Sequence, residues 1–179
     1  AIHAGWVGDE GFRHEIAAAA AGESAVFYTA RDAAQAWLQS LAETLDLIVA
    51  EKLQAPLGPS LDEAQGRRAE LARAELALPA LAANLETLRA MLAVDGGFAT
   101  ALAAADAAAL GAGLVETADA AIARAEAIVL PLAEAVADGG GRGEVEALLA
   151  EVTRLRLSAG GAMANELGLV RGFNASDGD

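Results

Sequence analysis

Leucine and other large apolar residues recur along this chain at steps of three and four residues, the spacing that places side chains on one face of an α-helix. One stretch has leucine at positions 81, 85, 88 and 92, and another repeats the pattern from position 37 to 49. β-Strands favour β-branched and aromatic residues, yet aromatic residues make up 4% of a chain that is 55% hydrophobic. The pattern predicts an all-α fold, an up-and-down helical bundle of about four to six helices in one domain over residues 1–179.

Capping and breaking residues mark where the predicted helices begin and end. Thr29, with Asp32 three residues later, predicts the start of a helix, and Pro56 with Gly58 predicts its end. Pro79 suits the first turn of the next helix. We further expect an alanine-rich segment over 98–110, a helix over 114–129, a flexible linker at 138–143, and a last helix that ends at Gly168.

The charge and the composition exclude several classes of partner and site. The formal net charge is −14 at pH 7 with 12 basic residues, so no nucleic acid is expected as a partner and an anionic membrane surface is disfavoured. The lack of cysteine excludes disulfides, thiolate metal sites and a cysteine nucleophile. Charge-free stretches stop at about ten residues where a membrane span needs about twenty, so we expect no transmembrane segment.

The pair His14–Glu15 begins like the zinc-protease motif H-E-x-x-H, in which two histidines one turn apart hold the metal. Position 18 is alanine, so the second histidine of the motif is missing. Glu10 and His14 are one turn apart and are weaker metal candidates, because two ligands fall short of the usual three or four. The alternative is a solvated pair on the surface of a helix.

The last nine residues, "RGFNASDGD", differ in composition from the rest of the chain. The glycines permit sharp turns, and the Asn, Ser and Asp side chains can bond to local backbone. The carboxylates of Asp177 and Asp179 are spaced to meet a hard cation, although the calcium-loop pattern does not fit. The alternative is an ordered turn that caps the last helix.

Four stretches of the chain, in the right order, resemble the imelysin family. The terminal "LGLVRGFNASDGD" is similar to the family's GFN-x-x-DGD run after a closing helix, and this is the specific part of the resemblance. Three further stretches, of more ordinary helical composition, are similar to other parts of the family pattern: "GWVGDEGFRHEI", "EKLQAPLG" and "ELALPALAANLETLRAML".

The resemblance implies the second of two helical bundles, from a bacterial protein of the periplasm or cell surface that is linked to iron acquisition. Because the chain opens without methionine in what reads as mid-helix, we interpret it as a processed or truncated piece. The N-terminal helical domain would then be absent, together with any lipid anchor on the missing N-terminus. Family members were first described as peptidases, and their G-x-H-x-x-E motif is absent here.

These observations favour a binding module over an enzyme, with no catalytic residue assigned. One wall of a cleft against the N-terminal domain would be formed by Arg171, Asn174, Asp177 and Asp179. The carboxylates would bind iron or another divalent or trivalent cation, and iron-uptake components would be partners. The alternatives are a metal-dependent peptidase of the imelysin type and a non-catalytic helical scaffold or interaction domain.

Overall fold

The computed structural model describes residues 11–170, except for the side chain of Phe12. Throughout that range the regular structure is helical, which confirms the all-α fold. The seven helices that carry labels here are α1 (Phe12–Ala19), α2 (Ala30–Leu47), α3 (Ala77–Ala93), α4 (Phe98–Ala104), α5 (Ala108–Ala127), α6 (Leu132–Ala135) and α7 (Gly139–Leu157).

Two of the helices, α2 and α7, continue without a break beyond their α-helical bounds. The backbone of α2 passes into a π-helical stretch, Ile48–Gln54, and then into a last α-turn, Ala55–Leu57. The backbone of α7 does the same through Ser158–Met163 and Ala164–Glu166. π-Helical stretches are rare in proteins, and here both lie in the second half of a long helix.

The four long helices α2, α3, α5 and α7 form the bundle, and each runs antiparallel to its neighbours. The contacts at the helix ends give the direction: Gln35 near the start of α2 contacts Val170 after α7, and Leu57 after α2 contacts Arg142 at the start of α7. The start of α3 likewise lies beside the end of α5. One ion pair also joins each pair of neighbours. This arrangement confirms the predicted up-and-down bundle. The pairs are Asp46 with Arg156 between α2 and α7 (3.3 Å), Arg89 with Asp119 between α3 and α5 (2.8 Å), and Arg124 with Glu144 between α5 and α7 (3.5 Å).

The core consists mainly of leucine, with alanine where helices approach closely. Leu81, Leu85, Leu88 and Leu92, the predicted stripe of α3, are all buried. Burying a leucine side chain contributes roughly 2 kcal/mol, so each leucine of this stripe stabilises the bundle substantially. The fully buried alanines include Ala118 and Ala121 on α5, Ala135 on α6 and Ala159 after α7.

The predicted helix ends are confirmed at several positions. Thr29 and Asp32 form a reciprocal capping box at the start of α2. Gly58 and Gly168 follow the last turns of the two long helices with φ of +64° and +60°, a conformation in which glycine is favoured. Pro79 lies in the first turn of α3, where its missing N–H costs no helical hydrogen bond.

Two predicted boundaries were wrong. The alanine-rich segment over 98–110 is interrupted, since α4 ends at Ala104 and α5 already begins at Ala108. The helix predicted over 114–129 ends at Ala127, and Val129 is 94% exposed. Pro131 explains this second difference, because proline disfavours helical backbone in the residue before it and lacks an N–H to continue the helix.

The glycine-rich segment 138–143, predicted as a flexible linker, is the beginning of α7. The carboxylate of Asp138 accepts hydrogen bonds from the backbone N–H groups of Gly140 (2.9 Å) and Gly141 (2.7 Å) and so caps the helix. A Cβ on Gly141 would lie 2.9 Å from the Cα of Ala135, so glycine allows α6 to pack closely there. Capping and close packing therefore override the low helix propensity of glycine.

Arg142, in the first turn of α7, fixes the loop that follows α2. Its Nη1 donates to the carbonyl oxygens of Leu57 (2.7 Å) and Ser60 (3.1 Å), and its Nη2 donates to that of Gly58 (3.1 Å). Nε pairs with Glu146 at 2.8 Å, and the arginine side chain is only 13% exposed. One guanidinium thereby satisfies carbonyls at a helix C-terminus, where a positive charge is also favoured.

Within the described residues one stretch, Ala77–Ala104, has the length and composition of a membrane span, with a mean hydropathy of 1.2. Core helices of water-soluble proteins have the same properties. The leucine stripe of α3 packs in the bundle core, and the helix ends at Ala93 before α4 begins at Phe98. We therefore assign this stretch to the core, and the absence of a transmembrane segment stays a prediction.

We predict that Arg142→Lys lowers the free energy of unfolding by about 1–3 kcal/mol, because an ammonium group cannot reach all three carbonyls at once. Urea unfolding measures the change. Arg154→Lys is the matched control, since Arg154 is 63% exposed and pairs only with Glu151 among the described residues, and it should change stability by less than about 0.5 kcal/mol. Equal losses for the two variants would contradict the role of Arg142.

Alanine substitutions at two glycines of α7 should change the free energy of unfolding in opposite directions. Gly143→Ala should raise the free energy of unfolding by about 0.5–1 kcal/mol, because no described atom lies within 4 Å of the new Cβ and alanine favours helix. Gly141→Ala should lower it by about 1–3 kcal/mol, because the new Cβ meets the backbone of α6. Thermal unfolding distinguishes the two, and a stabilising Gly141→Ala would show that α6 does not pack there.

Candidate functional site

Most of the site residues predicted from the sequence lie outside the described part of the chain. Arg171, Asn174, Asp177 and Asp179 follow its end, and Glu10 precedes its beginning. His14 is described and lies exposed on α1. Across residues 11–170 there is no group of three or more His, Asp or Glu side chains that could hold a metal ion.

The structure instead shows a cleft of about 480 Å³ at the end of the bundle where α2 begins, which we call the helix-end cleft. Four parts of the chain meet there: α1, the first turns of α2, the turn into α4, and the segment after α7. Its lining residues are Ile16, Ala30, Arg31, Ala33, Ala34, Trp37, Gly96, Gly97, Phe98, Ala101, Leu167 and Leu169.

The walls of the helix-end cleft are aromatic and aliphatic. The rings of Trp37 and Phe98 lie with centroids 5.7 Å apart and their planes inclined by 43°. Phe98 is buried, while Trp37 is half-buried and packs against the main core with the rest of its surface lining the cleft. Trp37 thus combines the packing role expected from the helical stripe with a surface that a ligand could contact.

Arg31 is the only charged residue among the described residues that line the helix-end cleft. Its Nη2 donates a hydrogen bond to the carbonyl oxygen of Gly168, a neutral group. The neighbouring Asp32 directs its carboxylate to the backbone N–H of Thr29 at 2.9 Å. The cleft therefore joins an apolar surface to one cation that no described carboxylate neutralises.

Gln35, one turn after Arg31, holds the chain where it leaves the last helix. Its side-chain Nε2 donates to the carbonyl oxygen of Val170, and its Oε1 accepts from the Val170 N–H at 2.8 Å. Leu169 is buried beside it. The two contacts place Val170, the residue before the terminal run, at the rim of the helix-end cleft.

Glu15 fastens α1 to the turn that leads into α2. Its Oε2 accepts from Ser24 Oγ (2.6 Å) and from the N–H groups of Ala25 (2.7 Å) and Val26 (3.3 Å). The hydrogen bond from Ser24, followed by those from the backbone, lowers the pKa of Glu15 below its ordinary value. Behind this contact, Phe27 is buried in a small second core that also holds α1 against α2.

Arg31, Gln35 and the turn into α4 were not predicted as parts of a site. Arg31 and Gln35 are four residues apart, which places them on one face of a helix. Their partners, however, are 137 and 135 residues away in the sequence, so no local pattern indicates the contact. Among the described lining residues there is no nucleophile beside a base.

A second cleft, of about 540 Å³, lies between the start of α3 and the end of α5. Leu78, Pro79 and Ile128 contribute apolar surface, and Glu86 and Glu126 contribute the carboxylates. It holds none of the residues predicted as site residues, and the exposed Val129 follows it directly in the chain.

The Glu15 contact should make the attachment of α1 depend on pH. A lowered folded-state pKa means that the contact stabilises the fold above the ordinary pKa of glutamate and is lost as the pH falls through the lowered value. We therefore expect the amides of Ala25 and Val26 to lose protection against hydrogen exchange on acidification, where protection compares the exchange rate with the intrinsic rate at the same pH. Glu15→Gln should weaken that pH dependence. Glu23→Gln is the control, because Glu23 is exposed and forms no described hydrogen bond through its side chain. The same pH dependence in Glu15→Gln would contradict the assignment.

The chain was compared with protein families, with curated proteins and with solved structures. No curated protein and no solved structure shows significant similarity to it. The model of the imelysin family, which is described as a peptidase family, matches residues 1–159. The match includes three of the four stretches that carry the resemblance and ends before the terminal run. Because it covers most of the chain, the protein belongs to the imelysin family.

Proposed function

We propose that this chain is the binding module of an imelysin-family protein that takes part in iron uptake or in the handling of another metal or ligand. The observation that carries the proposal is a pair of hydrogen bonds between the side-chain amide of Gln35 and the backbone C=O and N–H groups of Val170. This contact fixes Val170, the residue that precedes the terminal run in the sequence, at the rim of the helix-end cleft. A cleft beside a fixed chain segment is a common setting for a binding site.

The terminal run would contribute carboxylates, which the described lining of the helix-end cleft does not contain. Asp177 and Asp179 offer carboxylate oxygens, which hard cations prefer as ligands, and we propose iron or another divalent or trivalent cation. Arg171 would orient those carboxylates or receive an acid group of a ligand, and Asn174 would contribute its amide. His14 and Glu10, near the other end of the sequence, remain the weaker metal candidates.

The proposed partners follow from the family. The N-terminal helical domain of the same precursor would cover the end of the bundle, and iron-uptake components would exchange the ligand. The setting would be the bacterial periplasm or cell surface, where a lipid anchor would attach the protein. No nucleic acid is proposed as a partner, because the net charge of −14 opposes phosphate binding.

The alternative functions have less support. A peptidase requires an activated water or a nucleophile beside a base, and the lining of the helix-end cleft offers neither among its described residues. A scaffold would use an exposed apolar surface, for which the α3–α5 cleft next to Val129 is the nearest feature. Cleavage of a protein substrate by the intact protein, abolished by a chelator, would favour the peptidase.

We predict that Asp177→Asn combined with Asp179→Asn weakens cation binding by the intact protein at least tenfold, because both anionic ligands are lost. Isothermal titration with ferric citrate and with zinc chloride measures the affinity. Asp62→Asn combined with Asp106→Asn is the control, since it makes the same change in charge at two exposed positions outside the helix-end cleft. Equal affinities for the two double variants would refute the proposal.

A further inference from the structure

We propose that the helix-end cleft binds a small organic anion that carries an apolar body, with Arg31 receiving the carboxylate. The apolar body would lie between Trp37 and Phe98 on one side and the segment after α7 on the other. This inference goes beyond the proposed function and does not depend on cation binding by Asp177 and Asp179. It names a second ligand class for the same end of the bundle.

The size and surface of the cleft fit a small molecule. Sites for small ligands are typically about 300–1,000 Å³ and are lined mainly by hydrophobic and aromatic side chains with few polar groups. The helix-end cleft has a volume of about 480 Å³. Trp37, Phe98, Ile16, Leu167 and Leu169 supply apolar surface from four different parts of the chain. Removing an aliphatic or aromatic body from water would supply most of the binding free energy.

The charge of the cleft decides the class of ligand. Arg31 donates one hydrogen bond to the carbonyl oxygen of Gly168 and forms no ion pair with a described carboxylate. A guanidinium has five N–H donors, and two of them can bind one carboxylate side by side. A guanidinium that no described carboxylate neutralises, beside an apolar surface, is complementary to an amphipathic anion.

A preference for an anion is the opposite of what the charge of the whole chain would produce. The formal net charge of −14 would attract a cationic amphipath and repel an anionic one over the surface as a whole. Non-specific binding should therefore favour the cation. A preference for the anion can come only from a local positive site such as Arg31.

The test compares dodecanoate with dodecyltrimethylammonium, two probes with the same chain length and opposite charge, and with the neutral dodecanol. All three are used below their micelle concentrations to displace anilinonaphthalenesulfonate from the intact protein. We expect dodecanoate to bind at least tenfold more tightly than dodecyltrimethylammonium. Stronger or equal binding of the cation, or no displacement by dodecanoate, would overturn the proposal.

Three variants test whether Arg31 binds the carboxylate. Arg31→Gln should weaken dodecanoate binding about tenfold and leave dodecanol binding unchanged, because only the anion uses the guanidinium. Arg31→Lys, which keeps the charge but loses the paired donors, should give a smaller loss and guards against a folding defect in Arg31→Gln. Arg67→Gln is the matched control, since Arg67 is exposed and lies outside the cleft. Equal losses for Arg31→Gln and Arg67→Gln would overturn the assignment.

A cleft-filling variant separates binding in the cleft from binding elsewhere. Ala101 lines the cleft and is exposed, so Ala101→Phe can fill the space without replacing a core residue. The variant should weaken the binding of dodecanoate and of dodecanol to a similar extent. The affinity for ferric citrate, measured separately, tests the proposed function of the terminal run. Unchanged dodecanoate binding in Ala101→Phe would place the anion outside the cleft and refute the proposal.

Discussion

The antiparallel pairing of α2 with α7 is the constraint on which the rest of the structure depends. Buried leucines along α2 and apolar residues of α7 fix how far one helix lies along the other. At one end this alignment brings Arg142 to the carbonyls after α2, and at the other it brings Arg31 and Gln35 to the backbone after α7. The helix-end cleft is therefore a result of core packing far from the cleft itself.

Much of the fold could be predicted from the sequence because its determinants are local. The leucine stripe of α3, the capping box at Thr29 and the stop at Gly58 depend on residues within a few positions of each other. The glycines of 138–143 were misread because their helical state depends on tertiary contact, with Gly141 packed against Ala135. Propensity describes the isolated segment, and packing can reverse its preference.

The candidate site was much less accessible to sequence analysis. Trp37 could be placed on an apolar face, but its second role as a wall of the cleft requires Phe98, which comes from a separate helix. Arg31 and Gln35 resemble ordinary surface residues until the segment after α7 is brought beside them. The terminal run carries the specific family resemblance, whereas the family match rests on residues 1–159.

The π-helical stretches of the two long helices change the rotational phase of everything after them. Each residue of an α-helix turns the chain by about 100°, so buried positions alternate between steps of three and four. A π-turn bonds five residues apart and holds about one more residue than an α-turn, so buried positions step by four or five residues. Across the two π-helical stretches the core positions step by four: Val49, Leu53 and Leu57 on one helix, and Leu155, Ala159 and Met163 on the other.

Loss of one residue within either π-helical stretch would thus return it to an α-helix while both flanking segments kept their faces toward the core. A deletion in the α-helical part of α2 would instead rotate every later side chain by about 100° and turn the apolar face away from the bundle. The two π-helical stretches are therefore the places where these helices can change length without losing the alignment that builds the cleft.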